Sequence, residues 1–249
     1  MVGFALNFIP LLLFSTASEA ISGGNPAQYG FLNVPKLEYQ VSILHSGNRN
    51  YPCCGGAVIS SRWVITTASC VKTTVRDIIE RVLHPDYNSQ SGYANIGLIK
   101  VSTDFYFEGH YTKPVALTNI NSTTPGQLGI VSGFGSIYPL YYVEQPDSYK
   151  LMYAKIEVIE HSKCKATLKG YYNLNDDQFC AGRIGAGISA CDRDLGGPMV
   201  IQGPGSDHPN TRGKLIGLVA HTFCALNGFP TPFTNVGYYR EWIRSVTGV

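Results

Sequence analysis

The sequence predicts an all-β fold, and three observations carry that expectation. Apolar runs are short, and some alternate with polar residues, as in Glu38-Tyr39-Gln40-Val41-Ser42-Ile43-Leu44, the period of a half-buried strand. Turn formers are plentiful, with 27 glycines and 14 prolines among those runs. A hydrophobic content of 44% against 14% charged residues belongs to a packed chain rather than a disordered one. At 249 residues the chain is long enough for one large domain or two small ones sharing a core.

The first twenty residues stand apart. Phe4 to Phe14 is apolar except for Asn7 and Pro10, and the small residues Ser18 and Ala20 suit cleavage after Ala20. Residues 1–20 therefore read as a secretory leader; Pro10 and the shortness of the run argue against a buried N-terminal helix. No later run approaches the ~18 apolar residues of a membrane span, so the expected product is secreted, with no membrane association. A net charge of +2 is too small for a nucleic-acid binder. His45, His84, His110, His161, His208 and His221 never fall at metal-ligand spacing, so neither a metal nor another cofactor is expected. Seven cysteines in a secreted chain imply disulfides with one thiol left over.

Further strands are expected over Gly55 to Ile59 and Trp63 to Thr67, joined at Ser60-Ser61-Arg62, with His45 to Pro52 as a polar turn before them. Leu151 to Ile159, Phe179 to Gly182 and Lys214 to Val219 follow as strands, and Tyr238 to Val246 is an amphipathic segment suited to a terminal helix.

Four stretches point to one family. Cys191-Asp192-Arg193-Asp194-Leu195-Gly196-Gly197-Pro198 resembles the segment that carries the nucleophile of chymotrypsin-like serine proteases. Trp63-Val64-Ile65-Thr66-Thr67-Ala68-Ser69-Cys70 and Asn95-Ile96-Gly97-Leu98-Ile99-Lys100 resemble the segments that carry its histidine and aspartate. Ile21-Ser22-Gly23-Gly24 resembles the start of the active enzyme. The resemblance spans about residues 21–246, and a subgroup that looks similar is the mite group 3 allergen proteases with their inactivated paralogues. It implies two packed antiparallel β-barrels, about 30–115 and 126–235, and a C-terminal helix at about 237–247. Only thirteen residues separate Cys70 from His84, against roughly thirty in active relatives, so the first barrel is expected to be shortened by about two strands.

The same resemblance locates the site. Ser69, Asn95 and Leu195 stand where the catalytic histidine, aspartate and serine belong. Serine is no general base near neutral pH, a neutral amide cannot stabilise an imidazolium, and leucine has no heteroatom to attack a carbonyl. Arg193 takes the glycine position of the oxyanion hole. Asp194 is expected to pair with the α-amino group that cleavage would free on Ile21. Ser189 lies at the floor of the specificity pocket and Ala220, His221 and Thr222 along one wall, with Thr231 replacing a glycine on the other; the two threonines are expected to occlude it.

The disulfides that the resemblance implies are Cys54–Cys70, Cys164–Cys180 and Cys191–Cys224. Cys53 is then a thiol, an intermolecular link or a competitor with Cys54; neighbouring strand residues face opposite sides, which argues against competition. Otherwise the chain is expected to be a monomer. Asn121-Ser122-Thr123 is a glycosylation sequon. Tyr138, Tyr141 and Tyr142 fall on a loop beside the old cleft entrance and suit protein recognition, or else simply cover the shortened barrel. The expected function is a secreted, non-catalytic protease homologue that binds a protein, a decoy or modulator of a proteolytic cascade such as host complement. A weak hydrolase with relocated groups and a structural secreted protein are the alternatives.

Overall fold

The computed structural model describes residues 21, 24–27, 37–45, 48–71, 78–108, 112–119, 123–136, 151–201 and 213–249. The expected leader, Asn121 and Ser122 of the sequon, and Tyr138, Tyr141 and Tyr142 lie outside them. Thirteen strands run in the order β1 (Asn25–Pro26), β2 (Gln40–His45), β3 (Asn48–Val58), β4 (Trp63–Thr66), β5 (Ile78–Leu83), β6 (Gly97–Val101), β7 (Ala116–Leu117), β8 (Leu128–Gly133), β9 (Met152–Ile159), β10 (Gln178–Ala181), β11 (Pro198–Ile201), β12 (Lys214–Val219) and β13 (Thr231–Asn235). Helices α1 (Ala68–Val71), α2 (His161–Thr167) and α3 (Arg240–Thr247) complete the fold. Among the described residues no helix is long and apolar enough to cross a membrane.

The second half closes into a six-strand barrel in the order β8–β9–β10–β13–β12–β11, with β11 pairing back onto β8. Met152, Ala154, Ile156 and Val158 alternate with more exposed residues along β9, and that alternation fills the barrel's interior. Phe179 and Phe233 stack there with ring centroids 5.3 Å apart. The expected antiparallel barrel is thus present in the second half, and α3 follows a short 3₁₀ turn over 236–239, docked through buried Ile243.

The first half is a five-strand sheet in the order β2–β3–β4–β6–β5. Its strands bury both faces. Ala57, Trp63, Ile65 and Leu98 meet Leu215, Leu218 and Ile243 from the second half, while Val58, Val64 and Ile99 turn the other way, onto Val71 and the Cys54–Cys70 disulfide. Among the described residues this sheet has five strands against the six of the second barrel, and β5 lies within the short connection between Cys70 and His84.

Two local expectations also change. The polar turn is shorter than 45–52, because β3 begins at Asn48. Ile43 pairs with Cys54 but Leu44 with Pro52, so Cys53 is the extra residue of a bulge. Strict alternation fails at such a residue, and Cys53 packs against the same cluster as Cys54, its thiol donating to the Ile43 carbonyl at 3.3 Å. Cys54 nevertheless pairs with Cys70, Cys164 with Cys180 and Cys191 with Cys224.

The two halves meet backbone to backbone. Gly55 on β3 donates its N–H to the Leu195 carbonyl at 2.7 Å, and Ser132 on β8 donates to the Gln40 side chain on β2 at 2.7 Å. A Cβ on Gly55 would lie 2.8 Å from the Gly197 Cα, a backbone atom that cannot swing aside. Gly55→Ala is therefore expected to lower unfolding free energy by about 1–3 kcal/mol, read from chemical denaturation; an unchanged midpoint would show that the halves are not in close contact here.

Candidate functional site

The candidate site lies along this seam. Ser69 sits in α1 at the end of β4, and its backbone N–H donates to Asn95 Oδ1 at 3.0 Å. Its hydroxyl bonds the Thr67 hydroxyl at 3.1 Å. Asn95 is buried, and its carbonyl accepts from the Thr234 hydroxyl of β13 at 3.0 Å, so it is gripped by both halves. Leu195 is half-buried and packs against two clusters, the interior of the second barrel and the Cys54–Cys70 face of the first sheet. Its carbonyl lies 3.5 Å from Cys70 Sγ, next in sequence to Ser69. The three positions expected to be degenerate are thus gathered at one place, and none of these contacts includes a histidine.

Arg193 keeps a backbone φ of 76°, a left-handed conformation natural to glycine and strained for a side-chain-bearing residue. Asp194 is fully buried. Its carboxylate accepts the N–H groups of Gly135 at 2.8 Å and Cys191 at 3.0 Å. Burial pushes its pKa up to about 7, against the lowering effect of those two N–H groups. A Cβ on Gly135 would sit 2.5 Å from this carboxyl group, so glycine there makes room for it. Ile21 is fully buried in the second-barrel cluster that Leu195 flanks. The expected Ile21–Asp194 pair requires cleavage; in the uncleaved chain the Asp194 carboxylate is held by the two backbone donors.

The pocket positions are occupied by bonded side chains. Ser189 is buried, accepts from the Ala225 N–H and donates to the Ala190 carbonyl at 3.2 Å. Thr231, 1% exposed, accepts the Ala190 N–H at 2.9 Å. Ala220 is buried and its N–H bonds the Pro232 carbonyl, while Thr222 is half-buried. His221 stacks on Tyr172 with centroids 4.8 Å apart and meets Phe223 edge-on at 4.7 Å; burial lowers its pKa. Cys191, Asp192 and Cys224 bring three ligand-type atoms together, but both sulfurs are spent in their disulfide, a poor donor set for a metal.

Asp177 escapes the sequence reading. It falls in the polar run Asn173-Leu174-Asn175-Asp176-Asp177, which reads as loop, and the adjoining strand at Gln178 is the one signal that it turns inward. Its Oδ2 accepts the Ala94 N–H at 2.9 Å and the Tyr239 hydroxyl, tying the Asn95 loop to the second barrel and the terminal segment. Burial raises its pKa, opposed by those same bonds.

The family profile described as Trypsin matches residues 21–243. Trypsin-3 of Salmo salar is 30% identical over 226 residues, 83% of this chain and 86% of the relative. Trypsin-3 of Homo sapiens is 29% identical over 229 residues, 84% and 68% of the two chains. Trypsin-1 of Salmo salar is 28% identical over 251 residues, 93% of each.

Asp194 gives a pH signature of N-terminal processing. With no ion pair to it among the described residues, its carboxyl stays protonated to about pH 7 when folded but ionises at about pH 4 when unfolded. That raised folded pKa makes its contribution to stability fall as pH rises across this window, by at most about 1.4 kcal/mol per pH unit. A chain extended N-terminally to Ile21 should therefore unfold at higher temperature at pH 5.5 than at pH 7.5. A chain beginning at Ile21, whose ammonium would hold Asp194 ionised, should lack that gain. Identical pH profiles for the two chains would show that the amine never reaches Asp194.

Proposed function

The chain belongs to the trypsin family of serine proteases, and from that membership we propose that it is a secreted member that has given up catalysis and acts by binding protein. The observation that carries this reading is the joint replacement at Ser69, Asn95 and Leu195. Acyl transfer needs a nucleophile, a base and a group that orients the base. Leucine supplies no nucleophile, and the Ser69 hydroxyl is engaged with Thr67. Asn95 spends its side-chain oxygen on a backbone N–H.

Transition-state and substrate binding are compromised in the same direction. Arg193 puts a side chain where a bare backbone N–H should face an oxyanion. Thr231 and Thr222 narrow a slot that glycines would leave open, and Ser189 at its floor carries no charge for a basic side chain. Removing a triad from an otherwise intact protease leaves roughly 10³–10⁴-fold catalysis from the oxyanion hole and binding; here both of those supports are altered as well. The second barrel and the seam between the halves survive in detail, as expected of a scaffold retained for recognition. Its three disulfides fit an extracellular setting, with the leader over residues 1–20 as the route there. The resemblance to inactivated mite paralogues makes a proteolytic cascade, host complement among them, the proposed context, with the Tyr138, Tyr141 and Tyr142 loop as the proposed contact.

The competing reading is a weak hydrolase, and kinship to trypsins is what favours it. A peptide-library digest read by mass spectrometry separates the two. The mature protein is expected to cut nothing above a boiled control, whereas any reproducible cleavage site retained after repurification would overturn the non-catalytic reading. In parallel, the immobilised protein and a Tyr138→Ser, Tyr141→Ser, Tyr142→Ser form are exposed to host plasma. A protein enriched on the first and lost on the second is expected; equal capture by both would remove the loop from the account.

A further inference from the structure

Away from the cleft, a hollow of about 720 Å³ opens between α2 and the turn that follows it. Ser162, Lys165, Lys169, Tyr171, Tyr172 and Asn173 supply its polar and aromatic lining, and no carboxylate faces it. We propose that this hollow docks an acidic peptide segment carrying an aromatic residue.

The charge argument comes first. Lys165 and Lys169 are exposed on the rim, and neither forms an ion pair among the described residues. Of the carboxylates flanking the lining segment, Glu160 is committed to capping α2, where it accepts the N–H groups of Ser162 and Lys163, and Asp177 accepts from Ala94 and Tyr239. Two lysines lining one hollow, without an ion pair among the described residues, attract carboxylates.

The shape argument narrows the class. A volume of this size takes a few side chains, not a long polymer lying along a surface. One wall is aromatic and held in place: Tyr171 is 67% exposed, yet its ring packs on Phe229 at 4.8 Å, and Phe229 in turn meets Phe223 at 5.1 Å. The stack runs on through His221 to Tyr172, the second tyrosine of the lining. Backbone bonds from Tyr171 and Tyr172 to the Leu168 carbonyl fix the turn, and the Cys164–Cys180 disulfide anchors α2 to β10. An exposed ring that is already ordered binds another ring with little entropy loss. Two cations beside such a wall suit an acidic, aromatic peptide; a sulfated polysaccharide would use a longer basic stripe and no ring.

The site shares no residue with Ser69, Asn95 or Leu195, so it stands or falls separately from the non-catalytic reading. The test is fluorescence anisotropy with a labelled random copolymer of glutamate and tyrosine, against polyglutamate and heparin. The mature protein is expected to bind the copolymer at least tenfold more tightly than polyglutamate. Lys165→Ser with Lys169→Ser, and separately Tyr171→Ser, are each expected to weaken copolymer binding at least tenfold. All three positions are solvent-exposed, and unchanged thermal unfolding verifies the fold of each variant. Copolymer binding that survives either change would overturn the proposal, as would polyglutamate or heparin binding as tightly as the copolymer.

Discussion

The contact on which the structure depends is the close backbone approach between its two halves at Gly55 and the Leu195–Gly197 turn. One hydrogen bond, from Gly55 to the Leu195 carbonyl, crosses at a point where not even a methyl group fits. Everything in the cleft is positioned from this seam. The turn that supplies the carbonyl also holds Arg193 in its left-handed conformation and carries Asp194 into the interior. On the other side, β3 and β4 bring α1, and with it Ser69, to Asn95. Asn95 and Ala94 are then secured from the second half by Thr234 and Asp177.

The architecture was largely legible because it is written in patterns that resist substitution. Strand alternation, paired cysteines and the Gly196-Gly197-Pro198 turn each depend on local backbone geometry. The expectations that failed share a physical reason. β5 was missed because Ile78-Ile79-Glu80-Arg81-Val82-Leu83 has no clean alternation, and its pairing to β6 is irregular between Ile78 and Glu80. The facing of Cys53 was misread because a bulge suspends the period of two, and a bulge is decided by the partner strand. Asp177 was invisible because a buried carboxylate is identified by its bonding partners, Ala94 and Tyr239, which are distant in sequence.

The substitutions in the cleft change its physical character in one direction. Side chains that an enzyme would leave free for substrate are here engaged with the protein itself: Ser189 and Thr231 with the backbone of 190 and 225, His221 with an aromatic stack, and Leu195 with apolar clusters on both sides of the seam. In this account, the centre of the old active site has become part of the packing that joins the halves. Recognition is then moved to the surface, where an ordered aromatic wall and two lysines offer chemistry that the cleft does not.

The measurement that tests this most directly is the stability and activity of Leu195→Ser, which restores the ordinary nucleophile residue. If Leu195 acts as packing, the change exposes a polar group between two apolar clusters, and unfolding free energy falls by about 1–2 kcal/mol with no gain in hydrolysis. A variant as stable as the parent, or one that begins to cleave peptides, would contradict the claim that the cleft has been converted from chemistry to structure.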